Sequence, residues 1–72
     1  MTREELAKRF VYHAPREDQI VKYNDIRSEI KKLAVLLCEL TPDCREQSIA
    51  LTHLEEVVFW ANAAIARNPE AI

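Results

Sequence analysis

Two stretches of this chain hold residue types able to do chemistry at close quarters. The first is Lys8-Arg9-Phe10-Val11-Tyr12-His13-Ala14-Pro15-Arg16, where planar rings sit among basic side chains. Such rings can stack a nucleobase while a guanidinium pairs a phosphate. The alternative is structural: Phe10 staples a short N-terminal arm to the rest of the chain, and Tyr12 packs with its hydroxyl in water. The pattern alone leaves both open. The second stretch pairs Trp60 with Asn62. Large aromatics on an apolar helix flank more often serve subunit contacts than ligand platforms.

Other chemistry has less support. Glu17-Asp18 and Glu55-Glu56 are sequence neighbours, and neighbours on a helix point in different directions, so neither pair converges on one substrate atom. Ser28 and Ser48 have no evident base beside them, and a nucleophile needs one. An enzyme is not expected. His13 and His53 lie far apart and Cys38 and Cys44 lack metal-binding spacing, so neither a metal site nor a cofactor is expected. The two cysteines flank a turn, but a cytosolic chain keeps its thiols reduced, so a structural bridge is not expected either. There is no glycine, which removes the phosphate-cradling loops that depend on it.

The elements that position these residues are helical. From Tyr23 the apolar positions run Ile26, Ile30, Leu33, Leu37 and Leu40, and a second series runs Leu51, Leu54, Val58, Ala61 and Ile65. Both step by threes and fours, the spacing of a helical seam. Nothing alternates with period two, so no sheet is expected. Pro15 and Pro42 mark the two helix starts, with Thr41 as N-cap of the second, and Pro69 follows the end. The spacing predicts two helices of roughly 24 residues each, joined by a short turn as an antiparallel hairpin. Thr2, with Glu4 and Glu5 behind it, caps a short helix over residues 2–9. The fold class is therefore all-α. Residues 1–14 form an N-terminal arm and 15–72 the hairpin, within one domain overall.

Two helices meeting along one seam bury too little apolar surface to be secure alone. Val21, Val35, Leu36, Ile49, Val57, Phe59 and Trp60 lie off the seams and make a second apolar flank. A helix apolar on two sides is buried on two sides, so self-association is expected.

The 72 residues carry a formal net charge of −2, unevenly spread. Residues 1–36 hold eight Lys/Arg against six Asp/Glu, whereas 37–72 hold two against six. A small anionic ligand suits the basic half; a DNA or RNA polymer does not suit the whole. No apolar run is long enough to span a membrane and charges are spread through residues 1–9, so neither a membrane segment nor a signal peptide is expected.

The run Arg9-Phe10-Val11-Tyr12-His13-Ala14-Pro15, followed by Glu17-Asp18-Gln19 and Lys22-Tyr23-Asn24-Asp25-Ile26-Arg27, resembles bacteriophage proteins that counter CBASS immunity by sequestering cyclic nucleotides. Leu54-Glu55-Glu56 and Trp60 to Asn68 are similar to the same family, whose helical hairpin is shared with some anti-Thoeris sponges. The resemblance spans about residues 9–68. It implies a homohexamer that binds cyclic dinucleotides, and cyclic trinucleotides at separate pockets, without cleaving them, in the cytoplasm of the infected bacterial host. It further implies that Tyr12 stacks on a base of the dinucleotide, that Arg27 meets the phosphates with Lys22 as substitute, and that His13 belongs to the same site. Arg67 is the matching cation of the trinucleotide pocket, with Ala61 and Asn62 as lining. The rival reading is a helical-hairpin protein–protein interaction module that binds no nucleotide.

Overall fold

The computed structural model describes residues 1–69 and consists of three helices: α1 (Arg3–Phe10), α2 (Glu17–Leu40) and α3 (Arg45–Arg67). Helices α2 and α3, of 24 and 23 residues, pack as the expected antiparallel hairpin. Among the described residues there is no strand.

Helix α1 starts as its sequence dictates. The Thr2 hydroxyl accepts from the Glu5 backbone N–H at 3.1 Å, and Glu4 and Glu5 lie in the first turn against the positive end of the helix dipole. Lys8 and Arg9 lie in its last turn, where the dipole favours cations. Helix α2 starts at Glu17 with Arg16 as cap, so Pro15 stands just outside the helix rather than inside its first turn. There Gln19 turns its Oε1 back to accept the Arg16 backbone N–H at 3.0 Å, satisfying a group the helix start leaves orphaned.

The turn between the long helices departs from expectation. Cys44, not Thr41, is the N-cap of α3, its sulfur accepting from the Gln47 N–H at 3.5 Å. Thr41 instead ends α2, donating its hydroxyl to the Leu37 carbonyl at 2.6 Å. Gln47 then spans the turn, its Nε2 donating to both the carbonyl and the hydroxyl of Thr41. Thr41 is the better capping residue in isolation, yet here its hydroxyl and backbone N–H close the preceding helix on the Leu37 carbonyl, leaving the cap to Cys44. Both cysteines carry free thiols.

The seam is largely as the periodicity requires. Tyr23, Ile26, Ile30 and Leu37 of α2 and Leu51, Leu54, Val58, Ala61 and Ile65 of α3 are half-buried. Leu33 and Leu40 are exposed; Ala34 occupies the inward position that Leu33 was expected to fill. At 3.6 residues per turn a strict heptad drifts around a helix, and the inward line moves from position 33 to 34. Among the described residues the only buried one is polar. Gln19, 4% exposed, donates its Nε2 to the Ile65 carbonyl at 3.3 Å and so ties the open end of the hairpin.

Among the described residues no apolar side chain is fully buried. All seven members of the second flank are exposed, with Trp60 at 67%. Phe10 is 80% exposed, so it does not staple α1 to the hairpin of its own chain. The accessible surface is 6022 Å², against about 4,600 Å² for a folded monomer of this mass. The radius of gyration, 15.3 Å, exceeds the roughly 11 Å of a compact chain of equal length.

Candidate functional site

The hydrogen bond from Gln19 to Ile65 fixes the register of the hairpin: the start of α2 lies against the end of α3. One helical turn further along α2, Tyr23 comes level with Asn62, and Arg27 follows one turn beyond. Tyr23 and Arg27 are four residues apart and share a face; so do Ala63 and Arg67, and likewise Asn62 and Ala66. The alanines leave the end of α3 narrow, and the space beside them is a cleft of about 380 Å³. The bend after α1 supplies its remaining wall, with Val11, Tyr12 and His13 beside Arg9.

This cleft gathers Tyr12, His13, Arg27, Asn62 and Arg67 at one place. The resemblance assigned the first three to one pocket and the last two to another; within a single chain they line the same concavity. Ala61 is half-buried in the helix seam and is not part of this cleft. Lys22 lies in a neighbouring cleft of about 530 Å³ with Arg16, Gln19, Ala64, Ile65, Asn68 and Pro69.

The two clefts differ in what their polar groups are free to do. In the Lys22 cleft most of them are already engaged. Arg16 donates to Asp18 Oδ2 and to the Pro69 carbonyl, both at 3.2 Å, Gln19 uses both ends of its amide, and Asn68 Nδ2 donates to the Ala64 carbonyl at 3.0 Å. Those bonds hold the open end of the hairpin. In the Tyr12 cleft, Arg9 and Arg67 form no ion pair among the described residues, and Arg27 donates only to Asn24 Oδ1, at 3.1 Å. Among the described residues no carboxylate lines this cleft. Three arginines therefore line one cleft in a chain of negative net charge, together with two tyrosines. Asn62 Oδ1 is buried there without a hydrogen-bond partner.

Tyr12 is 84% exposed, its ring available to stack rather than packed away. His13 is half-buried, and its Nε2 lies 2.9 Å from the Lys8 carbonyl. A carbonyl only accepts, so this nitrogen carries the proton and Nδ1 is left toward other partners. The arrangement offers ring faces for bases and forked donors for phosphates, and no paired acid and base for bond cleavage.

Two residues of the cleft escaped the reading of the sequence. Tyr23 was counted as an apolar seam position, although its amphipathic side chain places a ring in the cleft from that same position. Arg9 was noted beside the aromatic bend but not assigned to the site. A third groove, of about 420 Å³, runs on from Arg27 between Ile30 and Ala34 of α2 and Leu51, Leu54 and Val58 of α3.

No helix among the described residues is long and apolar enough to cross a membrane. No curated protein and no solved structure matches the chain. A family model described as Acb2/Tad1, hairpin domain, matches residues 2–66, which takes in all three helices but for the last residue of α3. The family implies a sponge-type function, sequestration rather than catalysis. The chain thus belongs to the Acb2/Tad1 hairpin-domain family, the sponge proteins of anti-CBASS and anti-Thoeris defence.

Proposed function

We propose that this protein sequesters cyclic oligonucleotide second messengers intact and thereby blocks CBASS immunity in the cytoplasm of an infected bacterial host. The observation that carries the reading is the cleft lined by Arg9, Arg27 and Arg67 together with Tyr12 and Tyr23, with no carboxylate among the described residues of its wall. Cyclic dinucleotides have two bases and two phosphates, and two copies of this cleft related by a two-fold axis supply a ring and cations to each half. At about 380 Å³ the cleft of one chain is at the low end for a ligand site, so a second copy completes the enclosure.

In this reading Tyr12 stacks on a base, Arg27 pairs a phosphate, and His13 holds the bend. Lys22 is the less favoured cation because it faces the neighbouring cleft. Cyclic trinucleotides use Arg67 with Asn62 where three copies meet, while Ala61 stays half-buried in the helix seam.

Assembly follows from the surface. The excess over a compact monomer is about 1,400 Å² per chain, more than the roughly 800 Å² one partner buries in a standard interface. Each chain therefore has surface enough for at least one neighbour, and the hexamer that the resemblance implies uses it. A hairpin docking only to a host protein has no use for the three-arginine cleft, which favours the sponge reading over that rival.

The test is uptake and release. The protein is incubated with cyclic di-AMP, cyclic GMP–AMP and cyclic tri-AMP, freed of unbound ligand, and heated. Recovery of intact ligand is expected. Degraded ligand means hydrolysis, and no uptake means the interaction module.

A further inference from the structure

Helix α1 presents a puzzle that packing does not solve. None of its residues is buried, and Leu6 and Phe10 are exposed. The dipole explains a cation in its last turn, but it favours Lys8 and Arg9 equally. Only Arg9 lines the cleft, with Arg27 of α2 and Arg67 of α3. Three arginines from three separate elements thus border one concavity, and forked donors so placed suit a small anion.

Resting on the sequestration reading, we propose that Arg9 is a phosphate-binding residue of the cleft and that His13 is the positioning residue that keeps it there. The bond from His13 Nε2 to the Lys8 carbonyl spans from the bend back to the residue preceding Arg9. It fastens the end of α1 to the bend that carries Tyr12, so ring and guanidinium reach the ligand as one preorganised unit. The chemical class recognised is a phosphodiester on a small ligand. Arg9 supplies a forked pair of donors that a lysine does not reproduce.

Binding of cyclic di-AMP and cyclic tri-AMP is measured by calorimetry on the full chain, with oligomer mass by light scattering and helicity by circular dichroism. Arg9→Ala is expected to weaken binding by about tenfold or more, the usual effect of losing a hydrogen bond to a charged group. Arg9→Lys is expected to recover part of that loss. His13→Ala is expected to weaken binding similarly, and His13→Gln, which keeps a side-chain N–H donor, to restore most of it. If His13 acts by placing Arg9, the double alanine variant loses less than the product of the two single losses. Full affinity in Arg9→Ala overturns the proposal, as does a changed oligomer mass in that variant, which would assign α1 to a subunit contact. If Arg9→Ala is weak but His13→Gln is no better than His13→Ala, the fastening role of His13 is overturned. A wild-type chain that takes up neither ligand overturns this inference and the sequestration reading together, whereas wild-type uptake with an indifferent Arg9 overturns the inference alone.

Discussion

Replacing Trp60 by Asp tests whether this chain depends on copies of itself. The side chain leaves 67% of its surface in solvent, and an aromatic residue of this size buries 150–250 Å² when fully enclosed. Roughly 100–170 Å² of apolar surface is therefore available at this position, worth about 2.5–4 kcal/mol at ~25 cal/mol/Å². Ile49, Val57 and Trp60 fall at helical spacing on α3, so a carboxylate at 60 charges one end of the stripe and desolvation adds to the loss. The expected result is an assembly constant per contact lower by a hundredfold or more. Because no apolar side chain among the described residues is buried within the chain, the dissociated protein should also lose helix content. Sedimentation equilibrium at several loading concentrations reads the first effect, and circular dichroism melts at the same concentrations read the second. Wild-type melting that rises with concentration is the companion expectation. A wild-type monomer at micromolar concentration with a sharp, concentration-independent melt would refute the reasoning, as would a Trp60→Asp variant of unchanged mass.

Tyr12→Ala should cost the dinucleotide about 1–3 kcal/mol per stacked base without altering the melt, since the ring is 84% exposed; calorimetry at constant salt checks this, and unchanged affinity removes Tyr12 from the site. Arg67→Ala should impair cyclic trinucleotides more than dinucleotides; equal losses would mean that the cleft shared by Tyr12 and Arg67 is one pocket for both ligands. Gln19→Leu leaves the Arg16 N–H and the Ile65 carbonyl without their partner, and should lower unfolding stability by about 1–3 kcal/mol, read as a denaturant midpoint. An unchanged midpoint would show that water replaces both bonds.

The hairpin was legible because spacing by threes and fours is a property of one chain read in order. Leu51, Leu54, Val58, Ala61 and Ile65 needed no other information. The turn was less legible. Thr41 is a strong cap by type, but which end of which helix it serves depends on Gln47, six residues on, reaching back to it. The drift from Leu33 to Ala34 depends on how the two helices wind about each other, which neither helix records alone. At the site, the basic aromatic bend marked Tyr12 and His13, while their meeting with Arg67 depends on the register set by Gln19. The resemblance reached Arg27 and Arg67 separately; that both line one cleft follows only once α2 and α3 lie side by side. Tyr23 was hidden by its own position, since a ring at a seam reads as core.

Arg27 borders two concavities, the cation-rich cleft and the apolar groove that continues along the helices. On the sequestration reading, a neighbouring molecule seated in that groove would press on the same side chain that pairs the ligand's phosphate. Occupancy and quaternary structure are then thermodynamically linked: dilution loosens the grip on the messenger, and the messenger in turn holds the complex together against dilution. An inhibitor built this way releases its cargo by falling apart.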